Sequence, residues 1–185
     1  MLASTSCSQP AERSEEPAPQ PANAAQSAPP AAKLQAATLT LDASGLIVGD
    51  EQGARRKIAF DGPASAAIDA ARQLYGEPEA VETLEECGAG PLQISKFPGL
   101  TLAAQEGKFV GWWLDDNPKP PLPATAAGIG MGSTREALEK AYSIEAFEST
   151  IGHEFSADGI AGVTDSPGKT GKVTHLWAGA TCIMR

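Results

Sequence analysis

Hydrophobic residues change their spacing several times along this chain, and each change marks an element. At 38–41, Thr-Leu-Thr-Leu alternates polar and apolar positions as a half-buried strand does. A second apolar run, Ile58-Ala59-Phe60, ends at Gly62-Pro63. The period then lengthens to that of a helix, with Ala64, Ala67, Ile68, Ala71, Leu74 and Tyr75 on one face. Pro63 suits the first helical position, Gly76 the cap, and Pro78 forbids continuation. Three strand-like runs follow at 92–97, 100–104 and 109–114, with Glu106-Gly107-Lys108 as a hairpin turn.

The same plan then returns. Gly128-Ile129-Gly130-Met131-Gly132 leads into Ser133-Thr134-Arg135-Glu136, where Ser133 and Glu136 read as a capping box. Ala137, Leu138, Ala141 and Tyr142 make the apolar face. Strand-like runs at 154–156, 160–164 and 173–177 come next, the last two separated by a turn at 166–172. Aligning Gly62 with Gly132 sets Ile68 on Leu138 and Ala71 on Ala141. Gly107-Lys108-Phe109-Val110-Gly111-Trp112-Trp113 then runs opposite Gly171-Lys172-Val173-Thr174-His175-Leu176-Trp177. Short turns between successive strands make antiparallel meanders. The expected class is α+β: a tandem repeat of a short helix plus an antiparallel β-meander, with the helices packed on one face. The halves are 34–117 and 124–185, joined by a Pro-rich linker at 118–123, and the pattern leaves open whether they share one sheet.

Composition divides the chain once more. Residues 1–33 hold nine alanines and six of the fifteen prolines, with no aromatic residue. Such a stretch buries too little apolar surface to offset its ordering entropy, so it reads as a disordered, semi-stiff spacer. Met1-Leu2-Ala3-Ser4-Thr5-Ser6-Cys7 looks like the last residues before a lipidated cysteine, with Ser4 where such signals usually carry leucine. The expectation is a membrane tether through a lipid on Cys7; an incidental cysteine in a leader is the alternative. The remaining part, about 150 residues, is large enough to bury roughly 68–70% of its unfolded surface without a metal. No run approaches the length of a membrane helix. A net charge of −9 argues against nucleic acid as a partner, since binding there needs a basic stripe.

Residues able to carry chemistry are few. Cys87 and Cys182 each lie late in their own half and are expected to pair in an oxidising compartment, fastening the halves together. The alternative makes Cys87 the nucleophile of a small enzyme with His153 or His175 as base, but nothing in the sequence places either histidine beside it. Gly128-Ile129-Gly130-Met131-Gly132 lacks the third glycine of a dinucleotide fingerprint, since position 133 is serine. Gly168-Lys169-Thr170 reads as a hairpin turn rather than a phosphate loop. His153, Glu154, Asp158 and the remote His175 have no metal-ligand spacing, so neither metal nor cofactor is expected. Trp112 and Trp113 are adjacent on one strand, so one faces the core and the other a contact surface.

The phrase Gly128-Ile129-Gly130-Met131-Gly132-Ser133-Thr134-Arg135-Glu136-Ala137-Leu138 resembles the repeat signature of small bacterial envelope proteins that include the assembly lipoprotein BamE and the β-lactamase inhibitory protein. Asp61-Gly62-Pro63-Ala64 departs from that signature in the first half. The resemblance implies a non-enzymatic periplasmic domain that docks an envelope protein on a sheet face, with Phe109, Trp112 or Trp113, and Trp177 on that surface. Glu86-Cys87-Gly88-Ala89-Gly90-Pro91-Leu92, the stretch 107–112, and Leu176-Trp177-Ala178-Gly179 before a final cysteine are similar to segments of uncharacterised exported bacterial proteins. The name aspartate-semialdehyde dehydrogenase attaches to some of that group. Without a Rossmann fingerprint or room for a cofactor domain plus a catalytic domain, this sequence gives that activity no support.

Overall fold

The structure, a computed structural model, describes Met1, 36–114 and 122–182. Cys7, the rest of the segment expected to be a tether and most of the 118–123 linker lie outside the described residues. Apart from Met1, the described residues belong to one compact unit, Lys33–Arg185.

Three strands come first: β1 (Thr38–Asp42), β2 (Gly45–Gly49) and β3 (Arg55–Ala59). Helix α1 (Ala64–Tyr75) precedes four more, β4 (Ala80–Leu84), β5 (Leu92–Phe97), β6 (Leu100–Gln105) and β7 (Lys108–Leu114). The short β8 (Ala124–Thr125) precedes helix α2 (Arg135–Ala141). β9 (Glu145–Ser149), β10 (Gly152–Ala157), β11 (Ile160–Thr164) and β12 (Val173–Gly179) are the last elements among the described residues.

These strands make two sheets, so the molecule is α+β but predominantly β. One has the order β3-β2-β1-β8, and the other β4-β5-β6-β7-β12-β11-β10-β9. The two four-strand runs therefore share one sheet, meeting at an antiparallel β7–β12 seam where Trp113 lies opposite Trp177. The second sheet was not foreseen, nor was the parallel pairing of β1 with β8, which sets Thr40 against Ala124.

The main core lies between the sheets. Leu39, Leu41, Leu46, Val48 and Ile58 of the small sheet face Leu100, Leu102, Trp112, Leu114 and Leu176 of the large one. Trp112 is fully buried, and its Nε1–H donates to the Asp42 carbonyl at 2.9 Å. Each large apolar side chain buried here contributes about 1.5–3 kcal/mol. α1 enters the same core through Ala67, Ala70 and Ala71, a face of methyl groups that permits close approach, with Ile68, Leu74 and Tyr75 packed at its margin. Tyr75 lies near Phe97, and burial pushes its phenol up to about 12.

The helix ends follow the expected chemistry with shifted positions. Pro63 is the N-cap of α1 rather than its first residue, and Gly76, with φ 80°, closes it. The N-cap of α2 is Thr134, not Ser133; its hydroxyl accepts from the Ala137 N–H at 3.2 Å. The Ser133 hydroxyl instead accepts from the Gly130 N–H. Only Leu138 of α2 is buried, and Ala137 is exposed, so the apolar face is narrower than the spacing predicts.

Three main-chain hydrogen bonds recur where each helix starts. Asp61 and Gly132 donate to the Phe109 and Val173 carbonyls, and Ala64 and Arg135 donate to those of Gly107 and Gly171. Phe109 and Val173 donate to the Gly62 and Ser133 carbonyls. Matching these bonds sets Gly62 against Ser133, one residue away from the alignment expected from sequence, and Ala67 against Leu138.

Candidate binding face

The large sheet has an inner face, covered by the helices and the small sheet, and an outer face. On the outer face the register forms a row running Lys96, Thr101, Trp113, Trp177, Ala161, Ser156 and Glu145. Trp113 is half-buried and sits at the centre; Trp177 beside it is 7% exposed. At the Glu145 end a cleft of about 450 Å³ opens, lined by Ser143, Glu145, Ser156, Asp158, Gly159 and Ala161 among others. Lys96 at the opposite end is paired with Glu82.

Of the four residues expected on a contact surface, Trp113 and Trp177 are on this face, and only Trp113 is more than marginally exposed. Trp112 and Phe109 are not on it: they are 0% and 1% exposed and belong to the inner core. Strict alternation would put Phe109 on the same side as Trp113. A bulge prevents this. Gly111 pairs with Ala103 and Phe109 with Ala104, so Val110 is the extra residue and the side-chain parity reverses beyond it. A like irregularity in β12 leaves Thr174 unpaired between His175, opposite Val163, and Val173, opposite Thr164.

A separate apolar cluster covers part of the outer face. Cys87, Leu92, Ile94 and Ala103 are buried in it, with Leu84, Val110, Trp113, Ala180 and Cys182 at its rim. Cys87 and Cys182 form a disulfide with their Cα atoms 5.2 Å apart. Cys87 sits in the β4–β5 loop and Cys182 beyond β12, so the bond ties together the two ends of the described meanders. The loop is held independently as well, since the Gln105 side-chain amide donates to the Ala89 and Pro91 carbonyls.

The histidines considered as partners of Cys87 are elsewhere. Strands β6, β7, β12 and β11 separate β5 from β10, which carries His153. His153 Nδ1 lies against the Glu148 carboxylate on the neighbouring edge strand. His175 is exposed on β12, 3.2 Å from the Thr174 hydroxyl. With its sulfur bonded to Cys182, Cys87 has no thiolate to offer.

One grouping escaped sequence reasoning. At the β1–β2 turn, Lys57 Nζ donates to Ser44 Oγ at 2.7 Å, and both contact Asp42 Oδ1 at 2.9 Å. A serine, a lysine and a carboxylate together resemble a nucleophile with its base. The geometry opposes that, because Lys57 Nζ donates to the Ser44 hydroxyl and pairs with Asp42, an arrangement in which the nitrogen offers donors and no acceptor for the serine proton. Burial pulls the Asp42 carboxyl upward, but hydrogen bonds from Lys57 and from the Ser44 backbone and hydroxyl outweigh it, leaving the group below its ordinary value. The Ser44 N–H also donates to Asp42 Oδ1, the signature of a turn closed by aspartate.

Among the described residues, no group of three His, Cys, Asp or Glu side chains is placed to hold a metal ion. No helix among them is long and apolar enough to cross a membrane. No family model, curated protein or solved structure matches the chain.

Proposed function

We propose that this chain is a non-enzymatic envelope domain, tethered through a lipid on Cys7, that docks a partner protein on the outer face of its large sheet. The observation carrying this reading is Trp113, a large aromatic only partly buried at the centre of a sheet face. Partly buried aromatics of this kind are the usual anchors of protein interfaces. Glu145 and Asp158 at the cleft end favour a partner that brings basic groups to that side. The disulfide supports an oxidising compartment such as the periplasm.

The architecture is read here as a tandem repeat of one helix plus four strands, as in the BamE and β-lactamase-inhibitory-protein group. Three recurring hydrogen bonds, bulges at Val110 and Thr174, and the pairing of Trp113 with Trp177 at the midpoint support it. The small sheet, with β1, β2 and β3 from the first half and β8 from the start of the second, then lies outside the helix-plus-four-strand unit. The alternative, a cysteine-dependent enzyme, gains nothing from a bonded Cys87 and two distant histidines.

The test is capture of cross-linked partners from envelope extracts by the full chain and by its Trp113→Ala variant. Loss of a specific partner in the variant, with the melting transition retained, is expected. Retention of every partner would sink the reading. Intact mass of protein from native cells tests the tether separately: acyl chains on Cys7 are expected, and an unacylated chain removes that part.

A further inference from the structure

We propose that residues 179–182 form a strap across the outer face, clasped by the Cys87–Cys182 disulfide, that opens when a dithiol reductant breaks the bond. After β12 the chain turns at Gly179, with φ 74°, and lies over β7. A Cβ on Gly111 would stand 2.1 Å from the Ala180 carbonyl oxygen, so the strap occupies the space a side chain would take. Its main-chain anchor is the Ala180 N–H, donating at 2.8 Å to the Val110 carbonyl. That carbonyl belongs to the bulged residue. From there the strap reaches Cys182 over Leu92, Ile94 and Ala103.

Two features make the strap separable from the fold. Its floor is the smaller cluster, on the opposite side of the sheet from the main core. The β4–β5 loop at its far end keeps both Gln105 hydrogen bonds without the disulfide. Reduction therefore frees the strap and leaves the strands and the loop in place.

Cys182 is the more exposed of the two cysteines, Cys87 being only 8% exposed. One thiolate of the dithiol attacks the Cys182 sulfur; the disulfide breaks, and Cys87 leaves as a thiolate that takes up a proton. The reductant's second thiol then displaces Cys182 from the mixed disulfide. Two protein thiols are formed, and the dithiol is oxidised to its own disulfide. Expelling a thiolate into an apolar cluster makes the first step slow. Release uncovers Leu92, Ile94, Ala103 and the flank of Trp113. The proposal stands whether or not this face docks a partner.

The experiment is hydrogen exchange with mass-spectrometric readout on the full chain, oxidised and after complete reduction by dithiothreitol, with two thiols verified by alkylation. Exchange at Ala180 should accelerate about tenfold or more on reduction, while β5, β6, β7 and β12 up to Ala178 remain the slower-exchanging segments, their protection lowered only as far as global stability falls. The double variant Cys87→Ser, Cys182→Ser should reproduce the reduced pattern without any reductant. Undiminished protection at Ala180 in both samples would overturn the proposal, because the strap would then be held by its own packing. Exchange across the large sheet as fast as at Ala180 would overturn it equally, because the strap would then not open apart from the rest of the fold.

Discussion

On the inner face of the large sheet, Trp112 and its neighbours are locked between two sheets and a helix. On the outer face, one residue further along the same strand, Trp113 sits in a thin cluster with a disulfide at its edge. The inner face derives its stability from buried area and a satisfied indole N–H. The outer face relies on a covalent bond and leaves aromatic surface in reach of solvent. Deep burial and shallow burial thus lie a single peptide bond apart in this chain.

The largest test of that contrast is to truncate each tryptophan. Trp112→Ala should destabilise by about 3–5 kcal/mol in urea unfolding, since it opens a cavity and orphans the Asp42 carbonyl. Trp113→Ala should lose about 1 kcal/mol. Equal losses would break the comparison. Next comes the disulfide, which spans 95 residues of sequence; replacing both cysteines with serine should lower stability by about 2–4 kcal/mol, read as a lower urea midpoint. A change under about 0.5 kcal/mol would mean that the outer cluster holds itself together.

A finer probe of the inner face is the cap that positions Leu138. Thr134→Ala should lose about 1 kcal/mol, and Thr134→Ser should recover most of it. The smallest effect concerns Asp42, whose backbone carbonyl receives Trp112 and whose side chain pairs with Lys57. Its folded pKa lies below the ordinary value, so its contribution is full above that value and is lost as pH falls through the folded one. Asp42→Asn should flatten the acid limb of the pH–stability curve by less than about 1 kcal/mol, the pair being partly exposed. A steeper acid limb in the variant would contradict the assignment.

Sequence pattern revealed the elements that bury one face cleanly. Thr38-Leu39-Thr40-Leu41 and the alanine-rich face of α1 were legible because their periods match their burial. Strands β4 and β9 were not. They are the two edges of the large sheet, each with its central residues exposed, so no alternation marks them. The pairing of β1 with β8 was hidden because two residues carry too little pattern, and parallel partners stand far apart in the chain. The disulfide was legible from two cysteines placed late in each half. Among the surface residues, the opposed directions of Trp112 and Trp113 followed from alternation. Which one turned inward did not, and neither did the burial of Phe109, because a bulge reverses parity without a residue type to announce it.

The β7–β12 seam also sets the order in which the molecule comes together. Within each run of four strands the hairpins join residues close in sequence and can close on the microsecond scale. At the seam, Leu114 meets Leu176, so the whole of the second run must be spanned before one seam bond forms. Zippering within each run therefore precedes docking of one run on the other, and docking is the slow event. Trp113 and Trp177 meet only in that event, which makes their fluorescence a clock for it.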